Sequence, residues 1–549
     1  MEPIAYEYRT ERIDHLGIVA GICNRIDLVQ IIDESLPTPS NRRVSCGQAT
    51  QALVLNALGL NGRALYLMPE YMCNKPVDLL IGEGLVADDF NDDALGKGLD
   101  ELQQAGVTEL FARVAARAVA EFEVTPPYVH LDTTTLSLHG AYDSESAQES
   151  VRRMEAVEIR HGYSKEQRPD LKQVVVTLIT SQASALPLWL EVLDGNSSDK
   201  ESFRHSVQAY IRQLEGEEPP WFIMDSAGYT HENLVAWGPI LWVARVPETI
   251  SEAKQVLRAI DHDNMEDAGN GCRIAPLGNL YAGIRQRWLL VYSQQAYARE
   301  SKGLDKRIDR AGEAAKKKWL DLQRLTFSCP ADAQSALTQL AEKLPWYTLQ
   351  AQAVPIKKYA KPGRPTKDAV AQIVGWQLTG HLVTNNQAIE DERKWLGRFI
   401  IATDILDETQ LSDQSLLSCY KEQSSSVERG FRFLKDPMFF ADSLFLKSPA
   451  RIMAMIMVMG LALLIYALTE RQLRQQLTAY NETIPDQKGK PTQTPTMRRV
   501  AQIFEGIDVL TIRLHGQIVE RRIINLTPVR AQIICLLGPA VENCYLVET

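Results

Sequence analysis

The chain has 549 residues, 45% hydrophobic and 23% charged, a balance that supports a folded core of three or four domains and excludes a disordered chain. Its 59 Lys and Arg against 69 Asp and Glu leave a net charge of -10, which argues against a protein that coats nucleic acid but permits an enzyme with local basic patches. The 8 cysteines lie scattered, with no CxxC pair or zinc spacing, which excludes a disulfide scaffold and predicts reduced thiols in a cytoplasmic protein.

The N-terminus, MEPIAYEYRTERIDHLG, carries charges where a signal peptide needs an apolar run. Residues 1–122 are expected to form a helical domain. Ser45 is placed to cap the run CGQATQALVLNALGL, Asn91 to cap ALGKGLDELQQAG, and VTELFARVAARAVAEF has apolar residues at helical spacing. Such a domain serves either DNA binding or scaffolding and dimerisation, and both readings stay open.

After Pro126-Pro127 the texture changes, and 123–250 reads as the first part of a catalytic core. YVHLD is a short strand ending in Asp132. QVVVTLIT and LPLWLEVLDG form a hairpin around SQASA. A helix over 198–214 follows, with Ser198 placed to cap it. PPWFIMD is a strand ending in Asp225, HENLVAW a short helix, and PILWVARV a further strand. That order is the order of an RNase H-like α/β core, whose mixed sheet would set Asp132 and Asp225 side by side. His130 is assigned to the face opposite Asp132.

Residues 251–395 are expected to form an inserted subdomain. It comprises strand-like 271–293, a charged helix over 304–325 and a basic Pro/Gly linker over 352–369. In that linker Lys357, Lys358, Lys361 and Arg364 surround Gly363-Arg364-Pro365, which resembles an AT-hook laid in a narrow minor groove; a solvated linker is the alternative. The core resumes over 396–480 with the strand GRFIIATDI and the helix SVERGFRFLKDP, stopped by Pro437. Ile452–Leu468 is an uncharged run of seventeen residues, short of the roughly 20 a membrane span needs, and reads as a core helix with a span as the alternative. Residues 481–549 make a small C-terminal unit with strand-like runs.

Three carboxylates stand out by position. Asp132 and Asp225 close strands, and Glu428 sits on the helix after the last strand. On that helix Val427, Phe431 and Leu434 share one face and Glu428, Arg432 and Lys435 an adjacent one. Divalent cations take several oxygen ligands held on rigid elements, and cations beside such a site suit a polyanionic substrate. The alternative is a surface helix with a Glu428–Arg432 ion pair. Asp194 and Asp404 read as turn or helix caps.

These segments resemble the DDE transposases of bacterial insertion sequences, in the branch with a Tyr…Glu…Lys signature and an insertion before the catalytic Glu. The matching residues are HLDTTT around Asp132, IMDSAGY around Asp225 and YKEQSSSVERGFRFLKDPMF with Tyr420, Glu428 and Lys435. HGYSKEQRPDLKQ and DGNSSDKESF also look like recurrent segments of that branch. The common form has Arg three residues after the Tyr and Glu seven after; here the third is Gln423 and Glu428 is eight away. The resemblance implies an RNase H-like core in which Asp132, Asp225 and Glu428 bind two Mg²⁺ or Mn²⁺ ions per active site. It implies cutting of double-stranded DNA at the element's terminal inverted repeats and joining to target DNA. Lys435 and Tyr420 would hold a phosphate near the cut, and the protein would act as a homodimer on DNA; Arg432, on the face of Glu428 and Lys435, is expected on the DNA by its spacing, and no membrane partner is expected. The rivals are a metal-dependent nuclease without strand transfer and a catalytically inert DNA-binding protein. A two-carboxylate glycosidase leaves Arg432 and Lys435 without a role.

Overall fold

Runs of Val, Ile and Leu dense enough to be buried on both faces form the central sheet. The computed structural model describes residues 6–36, 42–60, 65–139, 156–182, 184–214, 218–359, 371–436, 446 and 448–546. They divide into two compact units, one of 1–244, 280–285 and 403–549, the other of 245–279 and 286–402.

In the first unit, β1 (Tyr128–Leu138), β2 (Lys172–Ser181) and β3 (Pro187–Leu193) form an antiparallel meander. The helix α1 (Asp199–Gln213) leads to β4 (Trp221–Met224), and α2 (His231–Trp237) to β5 (Trp242–Arg245). β4 lies parallel to both β1 and β5, so the order is β3-β2-β1-β4-β5. This is the RNase H-like arrangement.

Asp132 does not close its strand. It is the fifth residue of an 11-residue β1, because Thr133–Leu138 continue the ladder against Lys172–Thr177. A Thr-rich run reads as polar, yet β-branched Thr suits a pleated, covered strand. Asp132 and His130 are two residues apart and so share one face, contrary to the expected assignment. Ser198 occupies the cap position of α1 without a side-chain cap bond; instead its carbonyl accepts from Ser202 Oγ at 2.9 Å.

Two later helices complete this core, α3 (Val427–Lys435) and α4 (Pro449–Ala479). Asp132 pairs across the ladder with Leu178, so both face the same side, and a Cβ at Gly430 of α3 would lie 3.3 Å from Leu178 Cδ1. α3 therefore packs on the sheet face that carries Asp132. By length and composition α4 could cross a membrane, but 94% of its most apolar window is buried within the protein, which makes it a core helix.

The N-terminal region is helical over Leu16–Arg25, Leu28–Ser35, Cys46–Leu58, Asp92–Gln104 and Val107–Glu121. Ser45 and Gln48 form a reciprocal capping box, and Asn91 accepts from the Ala94 N–H. One strand precedes these helices: Tyr6–Arg12 pairs antiparallel with Asp508–Leu514, which pairs in turn with Gln517–Ile524. Its partner lies some five hundred residues away, so local periodicity cannot reveal it.

In the second unit Arg398–Thr403, Ile284–Ser293, Cys272–Tyr281 and Glu266–Gly269 lie side by side in that order. The helices Gln294–Gln323 and Pro330–Ala341 and the hairpin Tyr347–Lys358/Gln372–Thr384 accompany them. Lys357 and Lys358 are thus strand residues, paired beyond a bulge with Ile373 and Gln372, and not part of a linker. Lys361, Arg364 and Pro437 lie outside the described residues.

Candidate active site

Two neighbouring parallel strands bring Asp132 and Asp225 together. Asp132 sits within β1 and Asp225 directly follows β4, where Leu131 pairs with Met224. Burial and then the nearby Asp225 carboxylate push the Asp132 carboxyl up to about 7, against the pull of Lys165. Asp225 is raised too, mainly by burial. The Thr133 N–H donates to Asp132 Oδ1 at 2.7 Å and the Ala227 N–H to Asp225 Oδ1 at 2.8 Å, which fixes both carboxyl groups.

A third carboxylate and a cation adjoin this pair. Lys165 Nζ donates to the Thr133 carbonyl at 2.7 Å and to Thr133 Oγ1 at 2.8 Å, and lies 3.1 Å from Asp199 Oδ2. Thr133 Oγ1 donates to Asp199 Oδ1 at 2.7 Å. Lys165, Thr133 and Asp199 thus tie the strand just after Asp132 to the start of α1. HGYSKEQRPDLKQ and DGNSSDKESF hold Lys165 and Asp199, and neither residue stands out in the sequence. A lysine in a turn and an aspartate at a helix start look like ordinary surface residues until the fold closes on them.

Glu428 is exposed on α3, the helix packed against Asp132's face of the sheet. Among the described residues, no three of His, Cys, Asp and Glu are gathered closely enough to hold a metal ion. The structure therefore joins Asp132 to Asp225 and leaves Glu428 outside that pair. α3 is fastened by Arg429, which pairs with Glu470 of α4; Glu470 is buried, also pairs with Arg474 at 3.0 Å and accepts the Met497 N–H at 2.9 Å.

On the same helix Lys435 Nζ lies 2.9 Å from Glu166 Oε1. Arg432 is exposed, with one donor 3.4 Å from the Ser424 carbonyl. Tyr420 is partly buried on the helix Asp413–Lys421. Lys357 and Lys358 are exposed on the second unit's hairpin. Asp404 accepts the Trp242 N–H at 3.0 Å and is pushed up to about 6 by burial; it pins β5.

The family model described as "Transposase DDE domain" matches residues 126–465, and that of a "Domain of unknown function (DUF4277)" matches 8–116. No curated protein matches the chain. Among solved structures, a piggyBac transposase synaptic complex with hairpin DNA is similar at 9% identity, with 91% of this chain and 82% of that one covered and a TM-score of 0.36.

Proposed function

The chain belongs to the DDE-domain transposases, and from that premise we propose that it cuts the ends of an insertion sequence and joins them to target DNA at a site built on Asp132, Asp225 and Glu428. The observation that supports this most is the pairing of two half-buried carboxylates on adjacent parallel strands, where the Asp225 carboxylate disfavours ionisation of Asp132. Hard oxygen donors with excess negative charge fit Mg²⁺ or Mn²⁺. When bound, two such ions would supply Lewis acidity at the attacking and leaving oxygens of a phosphodiester.

The protein's own residues prepare that site. The Thr133 and Ala227 N–H groups hold the two aspartates in fixed orientations, and Lys165 with Asp199 braces β1. Glu428, on the helix packed against Asp132's face of the sheet, would be the third ligand. Lys435 and Arg432 would hold backbone phosphates, as point charge and fork respectively. Tyr420, Lys357, Lys358, Lys361 and Arg364 would be further DNA contacts. The catalytic core would comprise 123–250 and 396–480, with 251–395 inserted, a helical domain over 1–122 and a C-terminal unit over 481–549. The protein would handle two DNA ends as a homodimer.

The test is cleavage of DNA carrying the repeats that border the coding region. Asp132→Asn, Asp225→Asn and Glu428→Gln should each abolish cleavage in Mg²⁺ while DNA binding in Ca²⁺ persists. Wild-type cleavage by any one of them removes that residue from the site.

A further inference from the structure

The loop between β1 and β2 places adjacent residues of opposite charge on two parts of the site. Lys165 turns to Thr133 and Asp199, and Glu166 turns to Lys435. The Glu166–Lys435 pair is more than an encounter of two surface side chains. Ser137 Oγ of β1 donates to Glu166 Oε2 at 2.6 Å. The Lys165 N–H donates to Thr135 Oγ1 at 3.2 Å, and its ammonium is held at Thr133. A turn follows, in which the Gln167 N–H donates to the Ser164 carbonyl at 3.2 Å and the Arg168 N–H to Ser164 Oγ at 3.1 Å. The backbone on both sides of Glu166 is therefore fixed, and its carboxylate is pre-aimed at α3.

We propose that Glu166 occupies the place of a DNA phosphate on Lys435, so that DNA must displace this carboxylate to bind and Glu166 sets the protein's affinity for DNA ends. A carboxylate and a phosphate present the same group to an ammonium, an anionic oxygen at hydrogen-bond distance. The two side chains retain 27% and 29% of their exposure, so a phosphate can reach the ammonium. Although burial alone would raise it, the Glu166 carboxyl is held below the usual range by its bonds from Ser137 and Lys435, so it competes as an anion at neutral pH. A net charge of -10 already disfavours casual DNA binding, and an internal competitor at the phosphate contact adds to that at the active site.

This inference rests on the reading that Lys435 holds phosphate, and a double-mutant cycle separates the two. Wild type, Glu166→Gln, Lys435→Ala and the double variant are titrated with a fluorescent pre-cut end duplex, taken from the sequence bordering the coding region, at several salt concentrations in Ca²⁺. Glu166→Gln keeps the shape and the Ser137 partner and should bind about two- to five-fold tighter, the range of a partly exposed pair. Lys435→Ala should bind more weakly with a salt slope about one unit smaller, and the double variant should match it. If Glu166→Gln binds no tighter while Lys435→Ala binds more weakly, Glu166 only braces the loop and the proposal falls, with the phosphate reading intact. If Lys435→Ala binds like wild type, the phosphate reading falls and the proposal with it. Should Glu166→Gln melt at a lower temperature than wild type, Glu166→Asp serves in its place. It draws the carboxylate back from Lys435 by one methylene and should tighten binding in the same direction; unchanged binding overturns the proposal.

Discussion

Asp132 is the residue on which the proposed chemistry and the stability of this protein meet. Its carboxyl, raised by burial and by Asp225 to about 7, prefers the neutral form in the folded protein and the charged form in the unfolded chain. A raised acid contributes stability that is full below its unfolded value near 4 and is lost as pH rises through about 7. Without divalent metal, Asp132→Asn should therefore be more stable than wild type at pH 8, by about 2–4 kcal/mol, and should lose that advantage near pH 4. Urea melts at both pH values in chelator check this; equal midpoints at pH 8 would show that Asp132 ionises there without cost. Asp132 and Asp225 are legible in the sequence because each lies in an apolar stretch where a carboxylate is conspicuous. Lys165, Glu166 and Asp199 are not, because their partners Thr133 and Lys435 come near only through the meander and α3.

At the scale of elements, α3 is held on the sheet through α4. Glu470 is 3% exposed and joins Arg429 of α3, Arg474 of α4 and the backbone at Met497, so three segments share one buried carboxylate. Glu470→Ala would leave Arg429 without its buried counter-charge and should destabilise the fold by about 3 kcal/mol. A denaturant midpoint unchanged from wild type would show that the pair is dispensable. Where α4 crosses β3 and the helix Val107–Glu121, a Cβ at Gly460 would overlap Leu190 Cδ1 and lie 3.0 Å from Phe111 Cε2. Gly460→Val should cost about 1–3 kcal/mol by overpacking, read from the same melts. Strands and helices with strong local periodicity were legible, as in β2, β3 and the helices capped by Ser45 and Asn91. Elements defined by a distant partner were not. Tyr6–Arg12 needs Asp508–Leu514, and Lys357 and Lys358 need Ile373 and Gln372, to be strand at all.

For the whole molecule, an acidic chain must bind a polyanion, which concentrates the burden on local cations and on neutralisation of the paired aspartates. The β3-β2-β1-β4-β5 order supplies the pairing, and α3, which bears Lys435 and Arg432, packs on the sheet face that carries Asp132. The most direct measurement of the central claim is strand joining. Wild-type protein and Asp225→Asn are each incubated with a pre-cut end bearing a free 3′-hydroxyl and a target plasmid, with Mg²⁺ and with excess chelator. The account predicts joined products for wild type in Mg²⁺ alone, and none for Asp225→Asn or in chelator. Joining by Asp225→Asn at the wild-type level, or joining by wild type in chelator, would contradict it.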